Sequence, residues 1–415
     1  MKVLLINKFH YIKGGSETYY FGLGELLKKY GHEVVYFSMK DEKNFPCAQE
    51  KYFVENVDFN KPMSKLQMAK AGLKMLYSFE AKDRLEQLIL RERPDIAHLN
   101  IFQSQLTASV VDVLYKHRIP MVYTMHDLKA LCPCYTMLTH GQICEKCSQG
   151  NYVNCVKNRC MKDSASKSLL AALEAQVYRW RKTYSKIQLV ITPSAFYKKK
   201  LEQAGITPAK IVHMRNFLPP DTCYQSDEKQ GKYFLYFGRL SKEKGVLTLL
   251  DAYKIADPQI PLYIVGTGPV EKEIKQKVQQ LGLSDRVKML GYKQGDELKE
   301  LVKKSLCVVL PSEWYENGPY SIMEAQAAGI PILVSSNGGL PELIEDGVLG
   351  YIVQPNQPED LAEKLKLCER KQDWDKEKIL QWAKKNYDAD QYAMDLIDLY
   401  MQLNSGLNPD WNRKG

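Results

Sequence analysis

Short apolar runs alternate with amphipathic stretches along most of the chain. In the first half the runs are KVLLI at 2–6, HEVVYFSM at 32–39, PDIAHLN at 94–100 and PMVYTMH at 120–126. Each run has strand length, and the sequence between successive runs is compatible with helices. Strands that are buried on both faces and separated by helices are typical of a parallel sheet. The first half is therefore predicted to be an α/β domain.

The second half repeats this pattern with five further strand-like runs. They are KYFLYFG at 232–238, PLYIVG at 261–266, RVKMLG at 286–291, LCVVLP at 306–311 and IPILVSS at 330–336. Two prolines and a polar run interrupt the pattern at 214–232, which indicates a junction between domains. The predicted fold class is α/β, with two Rossmann-like, doubly wound parallel-sheet domains.

Length and composition agree with this organisation. A chain of 415 residues exceeds the size at which one hydrophobic core keeps growing, so two domains are expected. No apolar run approaches the roughly 18 residues that span a bilayer, and the first residues lack the architecture of a cleavable signal, so we expect a cytoplasmic location. The net charge of +9 suits phosphorylated ligands, an anionic membrane or nucleic acid. Nucleic acid is disfavoured because the basic residues are dispersed.

Ligands of open parallel sheets bind at the carboxyl ends of the strands, so the residues after each run are candidates for a binding site. After the first run come Lys13, Gly14, Gly15 and Ser16, ahead of a helical segment. Two explanations stay open for the glycine pair: close approach of a phosphate to the backbone, or a tight turn that needs positive φ. The chain has neither GxGxxG nor a phosphate-loop motif in this position.

Glycines also follow the strands of the second half, at Gly238, Gly266 and Gly338. Between Gly238 and Gly245 lie Arg239 and Lys244, two cations that could converge on a diphosphate. The alternative is a solvated basic loop, which explains most runs of this kind.

Two glutamates stand eight positions apart where the run ending at Pro311 gives way to a helix. Glu316 lies in the loop and Glu324 lies about one turn into the helix, where a carboxylate could accept hydrogen bonds from ribose hydroxyls. Gly318, Pro319 and Tyr320 would present backbone groups at the positive end of that helix. The alternatives are an exposed loop charge for Glu316 and a stabilising first-turn acid for Glu324.

Six of the ten cysteines fall within residues 132–160. Cys144, Cys147, Cys155 and Cys160 can supply four thiolates to a structural zinc ion, which would fold a segment that has little core of its own. An iron–sulfur cluster, local disulfides and reduced thiols remain alternatives, and Cys132, Cys134 and His140 could substitute as ligands. We expect this insert to shape an acceptor site.

Two basic segments, 61–79 and 168–186, have helical character. In the first, Met63, Leu66, Leu73 and Leu76 lie close to one face and the segment carries four lysines and no acid. Both segments could rest on an anionic membrane surface, or they could be ordinary helices that cover the sheet.

Several of these stretches together match a known pattern. They are GRLSKEKG at 238–245, VGTGP at 265–269, the glutamate pair before AQAAG at 325–329 and GGLPELIEDGVLGYIV at 338–353. KGGSE at 13–17, PDIAHLN, TMHD at 124–127 and ITPSAFYKKKL at 191–201 match its amino-terminal landmarks. The chain thus resembles glycosyltransferase family 4, also called group 1, whose members are retaining enzymes of the GT-B fold.

The resemblance implies two domains that face each other across a cleft, with the following division. Residues 1–217 form the acceptor-side domain with the insert 132–160, residues 218–388 bind the nucleotide sugar, and residues 389–415 cross back to the first domain. Catalytic roles then fall on His126 beside the donor sugar, on Arg239 and Lys244 at the diphosphate and on Glu316 at the sugar hydroxyls. Further donor contacts fall on Gly14, Gly15, Gly238, Gly266, Gly318, Pro319, Tyr320 and, at the ribose, Glu324.

The implied reaction is transfer of a hexose or related sugar from a UDP- or GDP-sugar to a glycan or lipid-linked saccharide, as in bacterial surface polysaccharide synthesis. No catalytic metal is expected, because cationic side chains and helix ends can stabilise the departing diphosphate. The membrane partner would be the inner face of the plasma membrane. Two alternatives stay open: a nucleotide-sugar 2-epimerase on the same fold and a non-catalytic protein that binds sugar nucleotides.

Overall fold

The computed structural model of the chain describes residues 1–57, 64–219, 231–371 and 373–405. It divides into two compact units. Unit 1 comprises Met1–His140, Cys144–Met214 and Ala389–Gly415, and unit 2 comprises Gly141–Ile143 and Arg215–Asp388. Met63 and the linker residues 220–230 lie outside the described residues, as does the end of the predicted last segment, 406–415.

Unit 1 contains a parallel sheet of six strands. They are β1 (Lys2–Ile6), β2 (Glu33–Phe37), β3 (Ile96–Leu99), β4 (Met121–Thr124), β7 (Leu189–Thr192) and β8 (Lys210–His213), and the short strands β5 (Leu138–Thr139) and β6 (Gln142–Ile143) lie outside this sheet. The helices are α1 (Gly15–Lys29), α2 (Lys65–Leu76), α3 (Phe79–Glu92), α4 (Ala108–Lys116), α5 (Val153–Lys157), α6 (Ala165–Trp180) and α7 (Ala195–Ala204). The central strands β3, β4 and β7 are fully buried, as runs of apolar residues require.

Unit 2 contains a second six-stranded parallel sheet. Its strands are β9 (Phe234–Phe237), β10 (Leu262–Val265), β11 (Val287–Gly291), β12 (Cys307–Leu310), β13 (Ile332–Ser335) and β14 (Gly350–Val353). Its helices are α8 (Val246–Ala256), α9 (Glu271–Gln280), α10 (Gly295–Lys303), α11 (Tyr320–Ala327), α12 (Pro358–Arg370) and α13 (Lys376–Asn386). The predicted pair of Rossmann-like parallel-sheet domains is therefore confirmed.

The strand order fixes where each sheet can hold a ligand. In unit 1 the order is β2-β1-β3-β4-β7-β8, so the direction of winding reverses between β1 and β3. In unit 2 the order is β11-β10-β9-β12-β13-β14, and the reversal lies between β9 and β12. Loops that leave the sheet at such a point diverge and open a crevice outside the carboxyl ends of the strands.

The last helix, α14 (Ala389–Asn404), belongs to unit 1. Its Tyr392 hydroxyl lies 2.6 Å from the hydroxyl of Tyr19 on α1, and its Tyr400 hydroxyl lies 2.5 Å from Nδ1 of His98 on β3. All four of these side chains are buried. The end of the chain is therefore fixed to the first sheet by hydrogen bonds inside the core, which are directional and cannot be satisfied by water there.

Three strands of the large sheets were missed in the sequence: β7, β8 and β14. Strand β7 is a buried apolar run that carries a clear signal. The edge strands β8 and β14 are partly exposed and have weak patterns. Strand β14 also begins at Gly350, whose φ of +147° and contact with the backbone of Ile332 exclude other residues, although glycine is usually depleted in strands.

The two basic segments form α2 and α6 in unit 1. Among the described residues, no helix combines the length and the apolar character that a bilayer-spanning segment needs.

Candidate functional site

The loops that follow β9 and β12 touch each other at the reversal point of unit 2. Gly245 adopts a left-handed φ of +69°, and a Cβ there would come within 2.0 Å of the carbonyl oxygen of Pro311. Gly338, after β13, bridges to Glu316, and its Cβ would lie 2.3 Å from the Glu316 carbonyl oxygen. The three loops thus pack backbone against backbone, which holds their side chains in fixed positions.

Lys244 and Glu316 form an ion pair between two of these loops. The Lys244 ammonium lies 2.6 Å from Glu316 Oε1, and the Ser312 hydroxyl donates to the same oxygen, also at 2.6 Å. Only 6% of the Glu316 side chain and 17% of the Lys244 side chain are exposed. The alternative of an exposed loop charge is therefore wrong for Glu316, and Lys244 is not simply solvated.

Arg239 differs from Lys244 because its side chain is exposed and makes no hydrogen bond or ion pair with the residues that the structure describes. It follows Gly238, whose φ of +153° is available mainly to glycine. The neighbouring Gly266 approaches so closely that its Cβ would meet the Gly238 carbonyl oxygen at 1.9 Å. The loop therefore presents an exposed guanidinium group from a tightly packed backbone.

Glu324 is a half-buried carboxylate without a partner in the described part of the chain. It is the fifth residue of α11, so it lies beyond the first turn and the alternative of a first-turn acid is wrong. No hydrogen bond or ion pair to its side chain occurs within the described ranges of the chain, and burial raises the pKa of its carboxyl to about 7. A carboxylate in this state stabilises a folded protein poorly but can accept hydrogen bonds from a ligand.

Gly318, Pro319 and Tyr320 lie at the start of α11, as predicted. Pro319 is the N-cap and provides no side-chain cap to the helix. The Asn216 side chain donates to the carbonyl oxygen of Gly318 at 3.1 Å and fixes the approach to the helix. The positive end of the helix therefore lies in the loop that also carries Glu316.

In unit 1, Gly14 is the N-cap of α1 and Gly15 is its first residue. Gly14 has φ −175°, an extended backbone that any residue adopts, so the explanation by a turn with positive φ is wrong for it. A Cβ on Gly14 would meet only Glu17 Oε2, at an ordinary 3.9 Å, and both glycines are exposed. Local packing thus gives no reason for a glycine at position 14, whereas close approach of a ligand would give one.

His126 follows β4 and is held by neighbours from two other elements. Its Nε2 lies 2.9 Å from Oδ1 of Asn100, which follows β3, and its ring packs edge-on against Tyr19 with centroids 4.9 Å apart. Burial lowers the pKa of His126 to about 3, so the imidazole is neutral near pH 7. Since an amide oxygen only accepts hydrogen bonds, Nε2 carries the proton and Nδ1 remains an acceptor.

Ser312, Asn100 and Thr124 are not among the site residues predicted from the sequence, yet each positions a predicted site residue or its neighbour. Ser312 holds Glu316, and Asn100 holds His126. The Thr124 hydroxyl lies 2.7 Å from Nε2 of His98 and 3.1 Å from the Tyr19 hydroxyl. The only available signal was position, because all three residues stand at the carboxyl end of a strand.

The cysteine insert is attached mainly to α6. Its helix α5 places the Cys155 thiol 3.8 Å from the Ser168 carbonyl oxygen, and the backbone N–H of Met161 donates to the Ser168 hydroxyl. Burial raises the pKa of Cys147 to about 11 and that of Cys155 to about 12. Their thiolates would therefore need a compensating cation.

Among the described residues, no group of three or more His, Cys, Asp or Glu side chains lies close enough together to hold a metal ion. The shortest thiol contact is between Cys132 and Cys134, whose sulfur atoms lie 3.3 Å apart. A hydrogen bond from Cys132 is the main reason that the pKa of Cys134 falls below its ordinary value. The zinc site at Cys144, Cys147, Cys155 and Cys160 stays a prediction.

Comparison with known proteins now adds to this geometry. Residues 13–222, about half of the chain, match the model described as glycosyltransferase family 4, and residues 225–388 match glycosyl transferases group 1. The matches and the two Rossmann-like sheets define a glycosyltransferase of the GT-B fold class. The chain belongs to glycosyltransferase family 4.

Individual relatives agree with this assignment. An uncharacterized glycosyltransferase of Methanocaldococcus jannaschii is 37% identical over 179 residues, 42% of each chain. The amylovoran biosynthesis glycosyltransferase AmsK of Erwinia amylovora is 27% identical over 201 residues, 46% of this chain and 49% of AmsK. Each match thus spans less than half the length of the curated relative.

The fold is similar to that of Anabaena HepE, whose crystal structure was determined in complex with UDP. The TM-score is 0.69 at 19% sequence identity, over 97% of this chain and all of HepE (100%). At this identity the likeness shows the fold alone.

Replacing Glu324 by glutamine should stabilise the protein above about pH 7 and have little effect near pH 4.5. Burial in the folded state raises the pKa of Glu324 to about 7. The protonated carboxyl therefore contributes fully to the free energy of unfolding when the pH is below the ordinary pKa of a glutamate. This contribution is lost as the pH rises through 7. Glutamine removes the desolvated charge. Urea unfolding of both proteins across this pH range measures the difference, with Glu363→Gln on α12 as a control for loss of an exposed carboxylate. Equal stability at about pH 8 would contradict the prediction.

We propose that zinc binding would draw Cys144, Cys147, Cys155 and Cys160 together. The intact protein should then contain stoichiometric zinc, and replacing both Cys144 and Cys147 by serine should remove it, because two of four ligands are lost. Elemental analysis after gel filtration measures the content, and Cys47→Ser, outside the insert, is the matched control. A metal-free parent protein, or a double variant with unchanged zinc, would remove the assignment.

Proposed function

We propose that the protein is a retaining glycosyltransferase that moves a sugar from a UDP- or GDP-sugar to a glycan or lipid-linked saccharide, in the synthesis of a surface polysaccharide. The observation that carries this proposal is the set of ionic groups at the reversal point of unit 2. Lys244 and Glu316 neutralise each other, whereas the side chains of Arg239 and Glu324 have no partner among the residues that the structure describes. A nucleotide sugar has chemical groups that could bind to these side chains: a diphosphate for the cations, and the hydroxyls of the sugar and the ribose for the glutamates.

The diphosphate would bind to Arg239 and Lys244. The exposed guanidinium can contact phosphate oxygens without losing any partner, and the ammonium is already fixed in place by Glu316. Backbone groups at Gly238, at Gly266 and at the start of α11 follow three strands of the same sheet and can approach the same ligand. These contacts would strengthen as the diphosphate departs, which is where catalysis needs them.

The donor sugar and the ribose would bind to the two glutamates. Oε1 of Glu316 accepts both of its hydrogen bonds from protein groups, and no bond to Oε2 occurs among the described residues. That second oxygen can accept from a sugar hydroxyl. Glu324 can accept from the ribose hydroxyls, which would replace the missing partners of its carboxylate.

In unit 1 the proposal assigns Gly14 and Gly15 to the phosphates and His126 to the donor sugar. With a pKa near 3, His126 is a weak base at neutral pH, which suits orientation of the sugar better than proton abstraction. The acceptor hydroxyl would attack the anomeric carbon from the face that the diphosphate leaves. The carbon–oxygen bond to the diphosphate breaks, and a leaving phosphate oxygen takes the proton of the hydroxyl.

Two relatives support the general assignment to polysaccharide synthesis and to a nucleotide-sugar donor. AmsK is named for amylovoran biosynthesis, and HepE was crystallised with UDP. Neither name identifies the sugar or the acceptor of this protein.

The sharpest test compares binding of UDP with binding of uridine by calorimetry. Arg239→Ala should weaken UDP roughly tenfold to a hundredfold and leave uridine unchanged, because only UDP has the phosphates. Glu324→Gln should weaken both ligands, because both have the ribose. Lys272→Ala, an exposed lysine of α9, is the matched control for loss of a cation. If GDP binds and UDP does not, GDP and guanosine replace the pair.

Hydrolysis of a panel of nucleotide sugars by the parent protein tests the catalytic part. Turnover of at least one donor, with retained configuration in the product, is expected. Binding without turnover would favour the non-catalytic alternative, and formation of a 2-epimer would favour the epimerase. If Arg239→Ala bound UDP with unchanged affinity, the proposed diphosphate site would be wrong.

We also propose that unit 1 docks on an anionic membrane through α2 and α6. The two helices pack together, since Gly72 on α2 leaves room for Leu170 on α6, 3.7 Å from a built Cβ. Large apolar side chains remain 43% to 72% exposed on them: Met68, Leu73, Leu169, Leu173 and Trp180. Exposed cations accompany them, including Lys167 and Lys182. The side chain of Leu66 lies outside the described residues.

Flotation with liposomes tests this surface. The protein should float with vesicles that contain anionic lipid and much less with neutral ones, and replacing Leu169 and Leu173 by glutamine should weaken binding roughly tenfold, because their apolar area would no longer be buried in lipid. Ile255→Gln, 46% exposed in unit 2, is the matched control. Absence of binding to either vesicle would refute the proposal.

A further inference from the structure

A chain of hydrogen bonds runs through the core of unit 1 and joins α14 to the elements around the predicted sugar-binding histidine. The Tyr400 hydroxyl lies 2.5 Å from Nδ1 of His98, and Nε2 of His98 lies 2.7 Å from the Thr124 hydroxyl. The Thr124 hydroxyl lies 3.1 Å from that of Tyr19, which in turn lies 2.6 Å from that of Tyr392. The chain of bonds therefore begins and ends on α14 and passes through β3, β4 and α1.

Burial fixes the direction in which the first of these bonds donates. It lowers the pKa of His98 to about 3, so the ring is neutral near pH 7 and has a single N–H group. Tyr400 is fully buried, and within the described residues its hydroxyl meets no hydrogen-bond partner other than His98. A buried hydroxyl proton without an acceptor is costly. The Tyr400 hydroxyl therefore donates to Nδ1 of His98.

The remaining directions follow from this first one. Because Nδ1 accepts, the proton of His98 lies on Nε2 and is donated to Thr124. The Thr124 hydroxyl then donates to Tyr19, and the Tyr19 hydroxyl donates to Tyr392. The opposite order would leave the Tyr400 proton without an acceptor inside the core.

Tyr19 is the member of this chain that touches the predicted donor site. Its ring packs edge-on against the ring of His126, with centroids 4.9 Å apart. Its hydroxyl is held from two sides, because Thr124 donates to it and Tyr392 accepts from it. The hydrogen bond to Asn100, 2.9 Å long, holds His126 at Nε2. The position of the His126 ring therefore depends on a tyrosine whose orientation is set from α14.

We propose that Tyr392 is a positioning residue of the donor site, which acts through Tyr19 on the ring of His126. Without the Tyr392 hydroxyl, the Tyr19 proton loses its acceptor, and the Tyr19 ring can turn toward another one. That His126 contacts a donor sugar rests on the proposed function, whereas the effect of Tyr392 on the His126 ring rests on these contacts alone. The last helix thus serves the site as well as the stability of unit 1.

The first test is an NMR titration of His126 in the full-length protein with 13C-labelled histidine, in which His126→Gln assigns the signal. Burial keeps the pKa of His126 at about 3 in the parent protein, so its signal should not move between about pH 8 and about pH 5.5. In Tyr392→Phe the ring should gain contact with water, and its pKa should rise toward the ordinary value of about 6.5. Tyr19→Phe keeps the ring that packs against His126 and removes both hydrogen bonds, so it should show the same change.

Hydrolysis of a nucleotide sugar gives a second readout. Tyr392→Phe should lower kcat about tenfold, because the reacting sugar is sensitive to a small displacement of the groups that orient it. The affinity for UDP should stay unchanged, because in the proposed site His126 contacts the sugar and not the nucleotide. A purely structural role of Tyr392 would not separate kcat from UDP affinity in this way.

Tyr400→Phe is the matched control. It removes one buried hydrogen bond of the same helix at the other end of the chain of bonds, while Tyr19 keeps both of its own. It should lower the melting temperature and leave the His126 signal and kcat unchanged. An unchanged His126 signal in both Tyr392→Phe and Tyr19→Phe would overturn the proposal. An equal change in Tyr400→Phe would also overturn it, because loosening of the whole helix would then be the cause.

The two readouts separate this proposal from the proposed function. If the parent protein hydrolyses no donor, the transferase assignment is lost, and the NMR titration still tests the positioning of His126. If a donor is hydrolysed and the His126 signal is the same in the parent and in the variants, the donor site stays and Tyr392 only docks the helix.

Discussion

The contact between Lys244 and Glu316 is the interaction on which the donor site depends. It joins the loop after β9 to the loop after β12, and these two loops meet where the winding of the sheet reverses. The charges are nearly buried, so each would be costly alone, and the pair keeps both in place. The glycines at positions 245 and 338 let the backbones of these loops approach closely enough for the ion pair to form. Removal of either charge would therefore disturb structure and ligand binding together.

Groups without partners are as informative as this pair. Arg239 and Glu324 in unit 2 lack the hydrogen bonds that such groups normally have in the described parts of the chain. Arg239 follows the carboxyl end of β9, and Glu324 lies on the helix that follows β12. Unsatisfied polar groups at a binding site lower the stability of the folded protein. The same groups are available to form hydrogen bonds with a ligand.

Much of the donor site could be predicted because its residues follow directly after strands. Gly238, Arg239, Glu316 and Glu324 are near one another in the sequence or follow adjacent strands, so the strand pattern alone indicates that they share an edge. The partners of these residues could not be predicted. Ser312 and Asn100 look like ordinary loop residues, and only the folded backbone brings them to Glu316 and His126.

The sequence by itself determined the parallel α/β class, the two domains and the residues at the strand ends, because apolar runs and glycines act through local backbone geometry and burial. Tertiary structure decided which charges are paired and which are exposed. Lys244 and Arg239 are similar in sequence, yet one is inside an ion pair and the other is exposed. Such differences arise from contacts between residues far apart in the chain, as with Tyr19 and Tyr392 in one hydrogen bond, and no local pattern encodes them.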